Sequence, residues 1–219
     1  MDREQSRIGS YTHLCVENGF SPHTIIELPS FEAACDHIIS SHVGVVIADI
    51  DRTIRDQEGA IKALKLGLIT QERLSLLQKL NQITDVYAVT NQWTHRGHQL
   101  ARIQSKGGSR YPINPYAILN VLGETRVFGR QEPWPMVIPG NYYKNRQEAV
   151  DAIASSILLN SFDVIARGVV GIGDRANDVV IALKVRKRIQ DITNEAIPFL
   201  GILLPAPPYE SWKIGKYIP

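Results

Sequence analysis

VGVVIADIDRT, residues 43–53, joins an apolar run to two aspartates that are two residues apart. The apolar part, residues 43–48, has the continuous pattern of a strand that is buried on both faces of a parallel sheet. Asp49 and Asp51 follow where that strand runs out, and packing explains them poorly because Asp is seldom fully buried without a partner. In open parallel α/β sheets, ligands bind at the carboxyl ends of the strands. The pair therefore indicates a metal or phosphoryl site.

The composition predicts a globular domain without a membrane span. The chain has 219 residues, is 44% hydrophobic and carries a net charge of +2, which gives no sign of a nucleic-acid partner. The start, MDREQ, has no apolar signal region, and no apolar run approaches the roughly 20 residues that cross a bilayer. Cys15 and Cys35 have no neighbouring Cys/His pattern, which argues against a zinc site or a disulfide scaffold. We expect a cytoplasmic protein; an organelle interior and a peripheral membrane position are the alternatives, and the oligomeric state is left open.

Short apolar runs alternate with helical stretches, which is the pattern of an α/β fold. The predicted helices cover residues 30–40, 71–82, a stretch that ends near 105, 146–159, and 175–188. The predicted strands cover residues 43–49, 86–89, one or two short pieces within 126–138, 168–172, and 199–204. We predict a Rossmann-like three-layer α/β/α sandwich with a mostly parallel sheet of five or more strands. Residues 29–219 form this single domain, with a small insertion allowed within 105–142, and residues 1–28 form an N-terminal extension.

Two further polar features follow the second predicted strand and precede the clearest helix. A hydroxyl at Thr90, with the next backbone amides at a strand-to-helix turn, makes a cradle for phosphate, although a helix cap is the alternative. Lys144, just before the helix at 146–159, would place an ammonium near a transferring phosphoryl group. Lys106 and Arg146 compete for this role, and a surface lysine is the alternative.

The last feature is GDRAND, residues 173–178, directly after a predicted strand. Gly173 would allow a sharp turn. Asp174 and Asp178 would then lie at a strand end and early in a helix, where two more carboxylates suit a hard cation such as Mg2+. In the alternative interpretation Asp174 caps the helix and Asp178 interacts with the helix dipole.

Taken in order, an acid pair, a hydroxyl, a base and a second acid pair each follow an apolar strand or precede a helix. In this the sequence resembles the haloacid dehalogenase (HAD) superfamily over roughly residues 43–204. The matching residues are DIDRT at 49–53, VTN at 89–91, Lys144 and GDRANDV at 173–179.

The resemblance implies a Mg2+-dependent phosphatase that works through an aspartyl-phosphate intermediate. Asp49 would be the nucleophile, and Asp51 would protonate the leaving oxygen and then activate water. Thr90 and Lys144 would bind the phosphoryl oxygens.

The same resemblance implies ligands for the metal and the substrate. Mg2+ would be held by Asp49, by the backbone carbonyl of Asp51 and by Asp174. Asp178 would touch the metal shell or orient the lysine. The residues that would contact the substrate are Thr53, Asn91 and Arg175.

The substrate class follows from the absence of a large cap domain. Fewer than about 20 residues separate Thr53 from the helix at 71, too few for a folded cap. An open site suits a bulky phosphorylated substrate, and the chain looks similar to capless phosphatidylglycerophosphate phosphatases through GDR at 173–175. Arg52 and Asn145 depart from that subgroup. A small phosphorylated metabolite or a polynucleotide end is the alternative substrate, and a HAD enzyme of another reaction type or a non-catalytic HAD-like interaction module is the alternative function.

Overall fold

Six parallel strands make one sheet in the computed structural model, which describes residues 3–17, 25–54, 71–93, 117–130 and 147–205. The strands are β1 (Ile25–Glu27), β2 (Val45–Asp49), β3 (Asp85–Trp93), β4 (Val127–Arg130), β5 (Val169–Gly173) and β6 (Phe199–Leu203). Their order across the sheet is β1-β6-β5-β2-β3-β4, and every pairing is parallel. The predicted α/β class and parallel sheet are confirmed.

The described helices cover both faces of the sheet. They are α1 (Arg3–Glu17), α2 (Phe31–Ser41), α3 (Gln71–Ile83), α4 (Ala117–Leu122), α5 (Gln147–Asn160), α6 (Phe162–Ile165) and α7 (Ala176–Thr193). Helices α2, α3 and α4 bury Phe31, Leu77 and Ile118 in one hydrophobic core. Helices α5 and α7 bury Ile153 and Ile181 in a second core on the opposite face. The described helices and the sheet therefore form three layers. None of these helices is long and apolar enough to cross a membrane.

The N-terminal segment, for which the sequence predicted no element, contributes to this architecture. Strand β1 pairs with β6 at the edge of the sheet, and the Leu28 amide donates to the Leu203 carbonyl at 3.1 Å. Helix α1 buries Tyr11 and Cys15 in a third cluster with residues of α7. Its sequence is polar at most positions, but its few apolar residues share one face, and packing of that face on α7 supplies stabilisation that an isolated polar helix lacks.

Several predicted bounds need correction. The second predicted strand, 86–89, extends as β3 to Trp93. The last predicted helix continues past residue 188 to Thr193, because Ile189 is still buried and the left-handed Asn194 (φ 59°) then ends it. Of the strands predicted within 126–138, β4 is described. The helix predicted to end near residue 105 and most of the insertion allowed within 105–142 lie outside the described residues.

The topology places a crevice beside β2. Strands β3 and β4 lie on one side of β2, whereas β5 and β6 lie on the other. The next described helix after β2 is α3, on one face, and the helix after β5 is α7, on the opposite face. Such a reversal of strand order opens a crevice at the carboxyl ends of the two strands, which is where ligands bind in open α/β sheets.

Candidate metal centre

Three aspartates meet in this crevice. Asp49 ends β2, Asp174 follows β5, and Asp178 lies in the first turn of α7. Each offers one carboxylate oxygen, and these oxygens all lie within 4.8 Å of one another. The three side chains are 6%, 2% and 5% exposed. The structure thus brings together three of the four residues that the sequence predicted as metal ligands. We call these three residues the acid cluster.

Strand register explains how residues far apart in the chain reach the same place. Ala48 pairs with Ile172 of β5 on one side and with Ala88 of β3 on the other. Asp49 is therefore level with the last residue of β5, and Asp174 lies one residue further along. Because neighbouring parallel strands end at the same edge, the two carboxylates converge there.

The acid cluster also depends on how closely α7 approaches the sheet. A Cβ built on Gly173 would lie 2.2 Å from the Cβ of Asp178, and one on Gly171 would lie 2.7 Å from the Cβ of Ala182. Among the described glycines, those with positive φ are Gly123 and Gly168, so the sharp turn predicted at Gly173 is not what requires glycine there. Its missing side chain is what lets Asp178 come close to the strand end.

The start of α7 fixes the Asp178 carboxylate. Arg175 is the N-cap residue, with extended backbone angles (φ −133°, ψ 153°). The Arg175 backbone N–H donates to Oδ2 of Asp178 at 3.1 Å. A carboxylate in this position is stabilised by the helix dipole. The N-cap position thus belongs to Arg175 and not to Asp174, and the Arg175 side chain, predicted to contact a substrate, is exposed.

A π-helical turn, Ile50–Ile54, follows Asp49. Ile50 and Ile54 are buried in the first core, which anchors the turn against α2 and α3. Thr53, predicted to bind the substrate, is fully buried, and its Oγ1 has no hydrogen-bond partner in the part of the chain that the structure describes. The Asp51 side chain lies outside the described residues, although its backbone belongs to the turn. π-helical turns are rare in proteins and are frequent at functional sites.

Thr90 lies near the acid cluster because of how β3 pairs with β2. Val89 pairs with Asp49, so Thr90 is one residue beyond that pair, and its side chain is 6% exposed. The register of β3 against β4 shifts between Val89 and Trp93, so the pairing of the two strands is irregular beside Thr90. Thr90 is thus inside β3 and not at a strand-to-helix turn as predicted.

The remaining predicted site residues fall in other parts of the chain. The Asn91 side chain, Lys144 and its competitors Lys106 and Arg146 lie outside the described residues. The identity of the phosphate-binding base therefore stays a prediction.

Sequence reasoning missed one residue that touches the site. Arg73, in the first turn of α3, donates from Nη1 to the carbonyl of Thr53 at 3.1 Å and thereby holds the π turn. A cation in the first turn of a helix interacts unfavourably with the helix dipole. That unfavourable placement is the feature of the sequence that could have identified Arg73 as a residue with a specific contact.

The donor set fits a hard divalent cation. All three groups of the acid cluster are carboxylates, which are the ligands that Mg2+ and Ca2+ prefer. Like charges this close and this buried repel one another, and a cation between them offsets that repulsion.

No protein-family model, curated protein or solved structure matches the chain.

Proposed function

We propose that the protein is a Mg2+-dependent phosphomonoester hydrolase of the HAD type, with Asp49 as the nucleophile. The observation that carries the proposal is the buried acid cluster at the point where the strand order reverses. A cluster of this kind is costly to the fold, because each carboxylate loses its hydration. A cation-dependent reaction is a reason for a chain to retain it.

The proposed reaction has two steps. An oxygen of Asp49 attacks phosphorus, and the bond from phosphorus to the alcohol oxygen breaks while Asp51 gives that oxygen its proton. Asp51, now a carboxylate, takes a proton from water, whose oxygen attacks the phosphorus of the aspartyl-phosphate. Inorganic phosphate leaves and the Asp49 carboxylate is restored. Thr90 would hold a phosphoryl oxygen through its hydroxyl.

Mg2+ would be held by Asp49, Asp174 and Asp178. When bound, it would neutralise negative charge on the nucleophile and on the phosphoryl group. Burial of the cluster strengthens this electrostatic effect because less water screens the charges.

The proposed substrate is a phosphomonoester on a bulky molecule such as phosphatidylglycerophosphate. This choice of substrate rests only on the short spacing between Thr53 and the helix that begins at residue 71 and on the sequence resemblance. The segments in which a cap would be inserted, residues 55–70, 94–116 and 131–146, lie outside the described residues.

The test is release of p-nitrophenol from p-nitrophenyl phosphate, with Mg2+ and with EDTA, for the wild type and Asp49→Asn. We expect Mg2+-dependent turnover that falls by at least about 1,000-fold in the variant, since the nucleophile is lost. Asp151→Asn is the control, because Asp151 is a surface acid that pairs with Arg188 at 2.8 Å.

Turnover that survives Asp49→Asn would show that Asp49 is not the nucleophile. Absence of turnover in the folded wild type, on this substrate and on phosphatidylglycerophosphate, would favour a non-catalytic module.

A further inference from the structure

We infer that Arg73 is a positioning residue for the acid cluster: it fixes the π turn Ile50–Ile54 and thereby sets the direction of Asp49. This inference rests on the proposed function for its consequence, which is tight binding of a divalent cation. Its structural part, the fixing of the turn, stands on contacts that involve no metal.

Arg73 joins the turn to two helices. Its Nη1 donates to the Thr53 carbonyl at 3.1 Å, and its Nε lies 3.0 Å from Oε1 of Glu32, in the first turn of α2. Its guanidinium carbon lies 5.8 Å from the centre of the Phe31 ring, close enough for a cation–π contact. The Arg73 side chain is 16% exposed. One side chain therefore links α2, α3 and the segment that carries Asp49.

The planar guanidinium makes this link specific to arginine. Two of its nitrogens donate in fixed relative directions, so the Glu32 carboxylate and the Thr53 carbonyl are held at one relative geometry. A lysine keeps the positive charge but is a point donor on a flexible stem and does not impose that geometry.

Thr53 and Asp51 belong to the π turn, which begins directly after Asp49 at the end of β2. A shift of the Thr53 carbonyl is therefore transmitted through the turn to the backbone of Asp51 and to the strand end that carries Asp49. Groups that orient metal ligands from behind commonly change affinity or activity by about 10- to 100-fold when removed.

Arg126 provides a matched control near the amino ends of the strands, away from the carboxyl ends where the acid cluster lies. Its Nη2 pairs with Asp85 at 2.8 Å, its Nη1 donates to Asn81 at 3.2 Å, and its guanidinium lies 5.5 Å from the Tyr87 ring centre. Its side chain is 20% exposed. Arg126 thus makes the same three kinds of contact as Arg73, but at the first residue of β3, where the strands begin.

The first experiment is amide hydrogen exchange of the full-length wild type, Arg73→Met and Arg126→Met without metal. Methionine keeps much of the apolar stem and loses every donor. We expect faster exchange of residues 50–54 in Arg73→Met and wild-type exchange of this turn in Arg126→Met. Unchanged exchange of the turn in Arg73→Met, or equal acceleration in both variants, would overturn the inference.

The second experiment is Mn2+ binding to the same proteins by isothermal titration calorimetry. We expect an affinity about 10- to 100-fold lower for Arg73→Met and unchanged for Arg126→Met. Wild-type affinity in Arg73→Met would overturn the inference while the proposed function stands. Absence of binding by the wild type would overturn the proposed function and the metal-binding consequence of the inference, whereas hydrogen exchange still decides whether Arg73 fixes the turn.

Arg73→Lys keeps the test decisive if Arg73→Met does not fold. We expect Mn2+ affinity below that of the wild type, because the ammonium cannot hold both partners in the arginine geometry. Wild-type affinity in Arg73→Lys would mean that Arg73 acts through its charge alone and would overturn the positioning role.

Discussion

Asp49 and Asp178 reach the acid cluster from segments that are fixed in different ways. The first segment, β2 with its π turn, is held by buried isoleucines and by the Arg73 donor to Thr53. The second, β5 with the start of α7, is held by close packing at glycines and by the hydrogen bond from Arg175 to Asp178. What distinguishes the first segment is a long-range polar contact, from Arg73, and we call it the polar half; what distinguishes the second is the close approach of α7 at Gly173, and we call it the steric half. Different substitutions should therefore disrupt the two halves.

Among the substitutions that compare the two halves, the largest expected effect is at the steric half. In Gly173→Ala the new Cβ would collide with Asp178, so α7 or the carboxylate must move. We expect p-nitrophenyl phosphate turnover to fall by about 100-fold, as for lost orientation of a metal ligand. Thermal or urea unfolding should show that the free energy of unfolding falls by about 1–3 kcal/mol.

Gly201→Ala is the matched control for this prediction. Its Cβ would lie 2.7 Å from Cγ1 of Val179, so it also presses on α7, but it adds no atom beside the acid cluster. Equal losses of turnover in the two variants would show that general strain in α7, and not displacement of Asp178, is responsible.

Asp178→Asn separates the two roles of this side chain. Asparagine keeps an oxygen that can accept from the Arg175 amide; it loses the favourable interaction of the charge with the helix dipole, but it also relieves repulsion from Asp49 and Asp174. We expect unfolding free energy within about 0.5 kcal/mol of the wild type and Mn2+ affinity lower by about 10-fold or more. A large stability loss with unchanged affinity would assign Asp178 to the helix alone.

The polar half should respond to acid. Burial raises the pKa of Glu32, but hydrogen bonds from its own backbone and Ser30, together with the Arg73 charge, outweigh burial and hold that pKa below its usual range. A depressed pKa means that the charged form stabilises the fold above the unfolded pKa, and that this stability is lost as pH falls through the folded value.

We therefore expect Glu32→Gln to be less stable than the wild type near neutral pH. The difference should shrink as pH falls below about 4, the ordinary range of a glutamate. Urea unfolding of both proteins between pH 7 and pH 3 measures this. A difference that is independent of pH would exclude the ion pair with Arg73 as its source.

The smallest expected effect is the slow chemical labelling of two buried thiols, one packed near each half of the site. Cys35 lies in α2, in the core that anchors the π turn, and burial raises its pKa to about 12. Cys15 lies in α1 against α7, and burial raises its pKa although a hydrogen bond with Tyr11 opposes this. Because the thiolate is the reactive form, we expect both to resist a thiol reagent at pH 8 until the protein unfolds. Rapid labelling of Cys35 in the native protein would show that the core behind the π turn opens.

The sequence predicted the acids better than it predicted what holds them. Asp49 and Asp174 follow continuous apolar runs, so the pattern of buried strands is enough to place both acids at the carboxyl edge of the sheet. Arg73 lies 20 residues after Thr53, and its contact depends on how α3 packs, which local pattern does not encode. The edge position of β1 likewise depends on pairing with β6, far along the chain.

Thr90 shows the same limit at finer scale. Its apolar neighbours identified the strand, but β3 continues past Thr90 to Trp93, where it pairs with Arg130 of β4 after a shift in register. Register is a property of two strands together and cannot be taken from either one.

Calorimetric titration of Mg2+ into the wild type, Asp174→Asn and the surface control Asp151→Asn tests the central claim most directly. One buried cation site made by the acid cluster predicts a single ion bound by the wild type and by Asp151→Asn. It predicts an affinity at least about 100-fold lower for Asp174→Asn, in which a charged ligand is lost. Equal binding by Asp174→Asn, or no binding by the wild type, would contradict the claim.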